Sequence, residues 1–207
     1  IIKSIQAWKS GVFYGIVLDM RGANGSDFKS VVAVSGLFLD GDKPIFELVD
    51  DTDSVVKLYK TPEGVEKIDM PVIVLVDNRT CLAAEVMAAI FKASKGAILL
   101  GSPTLGDNKV RDFIEYDDQL VFIAVNRIRM LIGDDFAQVG VTPDILERNG
   151  ADSAGITVED KKRLVQGGIT EEEKQDLQLL RKIGGDIVLR RATDIMLGLK
   201  ALDIQTK

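Results

Sequence analysis

No histidine occurs anywhere in the sequence. That absence excludes Ser-His-Asp and Cys-His catalysis, and histidine-ligated zinc with them. Cysteine is nearly absent too. Cys81 stands alone, so neither an intrachain disulfide nor a cysteine-cluster metal site can form. Any covalent catalysis by this chain has to use a lysine base, a terminal amine or something less usual. No apolar run approaches the roughly 18 residues that a membrane helix needs. Positive charge is short as well: 26 basic against 32 acidic residues leave a net charge of −6, which argues against a nucleic-acid partner. No nucleotide-binding segment is visible, and no cofactor is expected. The chain opens Ile1-Ile2 rather than with methionine. A processed form or an excised domain, and a signal peptide before it, therefore stay open.

What is present is globular: 207 residues, 46% hydrophobic and 28% charged, enough to bury a sizeable core. The chain is organised around residues 72–91. Val72 to Val76 is a continuous apolar run, as expected of a strand buried on both faces. The run breaks at Asp77-Asn78-Arg79-Thr80, and then Leu82, Val86, Ala89 and Ile90 recur at helical spacing. The free N–H groups of such a helix start point into the turn, a common place for a nucleophile or an anion. Further strands are expected over Phe13–Asp19, Ile45–Val49, Ser54–Tyr59, Ala97–Gly101, Val110–Tyr116 and Leu120–Leu131, the last two turning at Asp117-Asp118. Asp27 is placed to cap a helix from Phe28 to about Leu39, and residues 1–10 read as a helix end. After about residue 147 the composition shifts. Thr157 and Thr170 look like helix starts, and Asp186 to Leu202 carries a stripe through Ile187, Ala192, Ile195, Leu199 and Leu202. The pattern predicts a layered α/β core over 1–147 and a helical extension over 148–207 that packs on it. Three loops, Arg21–Ser26, Asp77–Cys81 and Ser102–Lys109, fall at strand ends and converge if the strands lie side by side.

The residues within those loops carry a family resemblance. Gly15-Ile-Val-Leu-Asp-Met-Arg-Gly22 followed by Gly25 resembles the Asp-Leu-Arg-x-Asn-x-Gly-Gly segment of the C-terminal processing (tail-specific) serine peptidases. Val76-Asp-Asn-Arg-Thr-Cys-Leu-Ala-Ala-Glu85 resembles their nucleophile segment, and Gly101-Ser-Pro-Thr-Leu-Gly106-Asp-Asn-Lys their Gly-x-x-Thr-x-Gly-Lys-Gly loop. Gly140-Val-Thr-Pro-Asp-Ile145 resembles their Gly-Val-x-Pro-Asp, and Leu189 to Met196 the helix closing their catalytic domain. The resemblance implies a Clp-protease/crotonase-type fold, a polypeptide or partner protein as ligand, and an extracytoplasmic location in a bacterial envelope, with plastids also open. No PDZ-like segment is seen.

The departures fall where that family keeps its chemistry. The resemblance puts its serine at Leu82, its lysine base at Asp107 and the following glutamine at Arg111. Leucine offers no nucleophile, and aspartate cannot replace a lysine acting as a neutral base. Gly25 and the backbone N–H of Ala83 match the family's oxyanion positions, although its second glycine is Ser26 here. The expected function is thus an inactive relative that binds or regulates a polypeptide. One alternative is a hydrolase using Cys81 or Thr80 with Lys109; another is a crotonase-like acyl-thioester enzyme with Asp107 as base. Each residue also has a plainer reading. Cys81 is a small buried residue, Thr80 the helix cap, Lys109 a solvated loop lysine and Asp107 a turn aspartate bonded to its own loop. Glu85 is expected to face a structural partner, and Asp19 and Arg21 to pair.

Overall fold

The computed structural model describes residues 13–147 and 184–202. The helix expected over residues 1–10 and the helix starts at Thr157 and Thr170 lie outside the described residues. In chain order come β1 (Ile16–Asp19), α1 (Phe28–Ser35), β2 (Pro44–Val49), β3 (Val55–Lys60), β4 (Val72–Val76) and α2 (Ala83–Ser94). Then follow β5 (Ile98–Gly101), β6 (Lys109–Tyr116), β7 (Gln119–Met130), β8 (Ile145–Leu146) and α3 (Ile187–Ala201). They form a parallel sheet in the order β1-β4-β5-β8 and an antiparallel sheet in the order β3-β2-β7-β6.

β4 is apolar at every position because both its faces are covered. Val72, Val74 and Val76 point into the main core with Val86, Ile90 and Phe91 of α2. Ile73 and Leu75 point the other way, against Leu100, Val188 and Ala192. The second face is therefore roofed by α3. Its buried stripe keeps Ala192 and Ile195 of the expected one but begins at Val188 rather than Ile187. Val188 and Ala192 are buried, with Leu189, Ile195 and Met196 packed beside them, while Leu202 is 70% exposed. Helical spacing admits either Ile187 or Val188 at the start of the stripe, and the strand surface selects Val188. At Gly15 there is no side chain because Met196 lies there: an added Cβ would meet its sulfur at 2.4 Å.

α1 starts where expected, with the Asp27 carboxylate accepting the Ser30 N–H. It ends four residues early, at Ser35, and the chain to Leu39 tightens into turns with Leu37 and Phe38 donating to Val34 and Ser35. Gly36 there packs against Pro62, where an added Cβ would meet the ring at 2.7 Å. The long hairpin turns at Asp117-Asp118, both at positive φ, as two-residue β-turns that match strand twist require.

The parallel order sets the C-terminal ends of β1, β4 and β5 next to one another. The three loops anticipated at strand ends therefore meet at one rim.

Candidate functional site

The turn between β4 and α2 is an elbow. Leu82, the N-cap of α2, has φ 53 and ψ −121, a region that side chains avoid and that costs about 1–3 kcal/mol to occupy. Backbone bonds from both neighbouring loops hold it. Cys81 N–H donates to the Ala23 carbonyl (3.0 Å), Ala83 N–H to Gly25 (2.9 Å) and Leu105 N–H to Thr80 (3.1 Å). Asp77 adds a side-chain strap by accepting from Gly22 N–H at 2.8 Å and Arg79 N–H at 3.0 Å. Burial pushes the Asp77 carboxyl up, but those donors and the Arg79 guanidinium outweigh it and hold it below the usual range.

Thr80 is not the helix cap. It is fully buried; its hydroxyl donates to the Met20 carbonyl (2.9 Å) and accepts from Asp77 N–H (3.1 Å). Because the elbow inserts two residues between it and the helix, its oxygen cannot reach the free N–H groups, and α2 has no side-chain cap.

The expected oxyanion pair does not converge as two donors. Gly25, at φ 127, turns its carbonyl toward the helix start and takes the Ala83 N–H itself. An unpaired N–H at a helix start donates to the nearest available oxygen, and here that oxygen belongs to the loop.

Glu85, fully buried on α2, holds the third loop as the expected structural partner. It accepts the Thr104 hydroxyl, Gly106 N–H (2.5 Å) and Asp107 N–H (3.1 Å). Thr104 accepts in turn from Val141 N–H at 2.7 Å. Gly140 permits this approach: it sits at φ +73, and an added Cβ would meet the Thr104 carbonyl oxygen at 2.2 Å. Burial raises the Glu85 carboxyl above its ordinary value despite the donors.

Asp107 accepts Lys109 N–H within its own loop (3.1 Å) and pairs with Arg111 at 2.7 Å. Burial would raise its carboxyl, but Arg111 and the Lys109 N–H outweigh burial and lower it. Cys81 is half-buried near these groups. Burial first, then the carboxylates of Glu85 and Asp107, push its thiol up, against the pull of Arg111. Lys109 is brought elsewhere. It is exposed, pairs across the hairpin with Arg127, and borders a separate depression of about 140 Å³ with Asp50 and Asp51. Among the described residues no group of three His, Cys, Asp or Glu side chains is placed to hold a metal ion.

The sequence reading missed one partner. Arg21 bonds Asp19 as expected, through Nε (2.8 Å) and Nη2 (2.7 Å), and also grips Asp186, through Nη1 (2.9 Å) and Nη2 (2.6 Å). Asp186 is at once the N-cap of α3, accepting from Leu189 N–H. Its place just ahead of an apolar stripe signalled a cap; nothing local signalled a partner 165 residues away. These groups border a charged cleft of about 610 Å³ with Asp77, Arg79 and Glu147. The Arg21 side chain is 13% exposed, so Arg21→Ala strands two carboxylates, and a loss of about 3 kcal/mol is expected in urea unfolding. Arg21→Lys should recover only part of it, because the planar fork is what spans both partners.

Comparison with known proteins gives this arrangement its context. The model of peptidase family S41 matches residues 1–146. Carboxy-terminal processing protease CtpA of Bacillus subtilis is 32% identical over 132 residues, 63% of this chain and 28% of that protein. The chloroplastic carboxyl-terminal-processing peptidase 2 of Arabidopsis thaliana is 30% identical over 145 residues, 69% of this chain and again 28% of that protein. The chain thus spans under a third of the length of these relatives. Among solved structures, a photosystem II D1 C-terminal processing protease superposes with a TM-score of 0.62 at 25% identity, covering 70% of this chain and 38% of its own. A lipoprotein from Streptococcus agalactiae shares the fold with a TM-score of 0.55 at 16% identity, covering 70% of this chain and 54% of its own. The layered parallel and antiparallel sheets are those of the Clp-protease-like fold that the loop motifs implied. The family model's match over residues 1–146, most of the chain, shows that this chain belongs to peptidase family S41.

Proposed function

We propose that this chain is an inactive member of its family, one that binds a polypeptide or regulates a partner protein without cleaving peptide bonds. The observation that carries the reading is Leu82. It occupies the strained elbow where the family's motif has serine, so the backbone that presents a nucleophile is kept and the nucleophile is not. Asp107, at the position of the lysine base, is paired with Arg111, and that pairing holds its carboxyl below the ordinary value. A carboxylate is no neutral amine base, and one held by a guanidinium is a weakened base for an acyl-thioester enzyme. The Gly25 carbonyl on the Ala83 N–H removes a donor from any oxyanion.

The displaced-nucleophile alternative finds no support in the geometry. The Thr80 hydroxyl is buried and bonded on both sides, and the Cys81 thiol is biased against its thiolate. Iodoacetamide should label Cys81 no faster than free cysteine at neutral pH. The deciding assay incubates the native chain with a fluorescently labelled unfolded protein. Binding by anisotropy without fragment release is expected. Fragment release abolished by Cys81→Ala would overturn the proposal. By likeness to bacterial and chloroplastic relatives, we place its work outside the cytosol, in an envelope or plastid compartment. Among the described residues no helix is long and apolar enough to cross a membrane.

A further inference from the structure

The β6–β7 hairpin runs beyond its sheet. β2 pairs with β7 only from Arg127 to Met130, so the outer part, residues 111–124, stands as a two-stranded ribbon. Such a ribbon is marginal alone in water. One face is set by the cross-strand register: Arg111, Phe113 and Glu115 of β6 lie opposite Ala124, Phe122 and Leu120 of β7. Phe113, Phe122 and Leu120 are 62%, 57% and 73% exposed, and the two rings touch at 4.8 Å. A contiguous apolar face of this kind marks a contact site. Strand addition at the outer edge is opposed, because the Asp112 carboxylate accepts the Phe113 N–H at 2.8 Å. The face remains.

Its pattern is self-complementary. A twofold axis lying across the ribbon through Phe113 and Phe122 sets these rings on their own copies. It also sets Arg111 on Glu115 and Ala124 on Leu120, so charge meets opposite charge and large meets small. We propose that this face is the interface of a twofold dimer, with a second copy of this chain as its occupant. Asp107 supports the base of the interface by holding Arg111 through two oxygens (2.7 and 3.4 Å), and the guanidinium's five N–H groups leave donors for the mate's Glu115. The departure that removes the base from the catalytic loop thereby places a cation at the contact.

Sedimentation velocity on the purified chain, at rising micromolar concentrations, tests this. The native chain is expected to convert from monomer to dimer. Glu115→Arg and Arg111→Glu, each folded by circular dichroism, should each weaken association by more than about tenfold, because like charges then face each other. An equimolar mixture of the two variants should dimerise again, since every position meets the opposite charge in the unlike partner. A native chain monomeric throughout overturns the proposal. So do single variants that dimerise as the native chain does, or a mixture that stays monomeric. A native monomer that instead binds an unfolded polypeptide through Phe113 would assign the face to another occupant and equally overturn it.

Discussion

Fragments from a labelled unfolded protein are expected when Leu82→Ser and Asp107→Lys are introduced together, and none from the native chain or either single variant. The elbow makes the first substitution productive. Its dihedral angles are held by bonds of Cys81, Ala83 and Leu105 to neighbouring loops, all of them backbone bonds that a new side chain at 82 leaves in place. The serine hydroxyl would therefore stand at the helix start without remodelling. The second substitution is equally well prepared. The backbone of residue 107 stays anchored because its N–H donates to Glu85. Arg111, relieved of its carboxylate partner, would lie beside the new amine, and a neighbouring positive charge lowers the pKa of an amine. A neutral lysine within reach of a hydroxyl is what general-base attack requires, and such a base contributes about 10²–10⁴-fold. The single variants each lack one half of the pair. The Gly25 carbonyl still occupies the Ala83 N–H, so the double variant should be slow, and Ser26→Gly, which loosens that turn, should quicken it. A folded but silent double variant would sink the idea that two side chains separate this chain from a peptidase.

The largest loss of stability is expected from Glu85→Ala. The carboxylate is fully buried and is the common acceptor for the Thr104 hydroxyl and the N–H groups of Gly106 and Asp107. Each donor left unsatisfied costs about 1–3 kcal/mol. A total of about 4 kcal/mol is expected for the variant in urea unfolding, allowing for entry of water. Glu85→Gln keeps one acceptor but turns an amide N–H toward a backbone donor, so about half of that loss should remain. The same residue sets a pH dependence. Burial raises its carboxyl above the ordinary 4.5, so the folded chain holds that proton more tightly than the unfolded one. Stability contributed here therefore rises as pH falls through the folded value and levels off below 4.5. Asp19, Asp77, Asp107 and Asp186 act in the opposite sense, each held below the ordinary 3.8. Their contribution is in place above 3.8 and disappears as pH falls through the folded values. Unfolding curves should show a mildly acidic optimum followed by a steep acid limb. Glu85→Gln should flatten the first limb, and Arg21→Ala should shrink the second.

Much of this could be read in the chain. The unbroken apolar run Val72–Val76 required two covered faces, and α2 and α3 cover them. The loop motifs led to the family and its fold, and the absence of histidine had already confined any chemistry to a lysine base or something rarer. Asp27 as a cap, Asp19 with Arg21, and Asp107 with its own loop were local patterns, and they formed as local patterns do.

What went unread depended on groups far apart in sequence. The position of Thr80 next to a helix suggested a cap, but the elbow bound its hydroxyl to Met20, sixty residues away. The α3 stripe was right at Ala192 and Ile195, but its ends were ambiguous until Gly15 and β4 supplied a surface to fit. Arg21 was legible as the partner of Asp19, not of Asp186. The resemblance pointed to Gly25 and Ala83 as an oxyanion pair, yet the direction of the Gly25 carbonyl is a dihedral choice made by the loop against the helix start. The sequence by itself therefore determined the main strands, the family and its fold, because these rest on residue type and short spacing. Tertiary structure alone decided which donors and acceptors meet at the rim, because a hydrogen bond is settled by position within a few tenths of an ångström, and no local pattern carries that information.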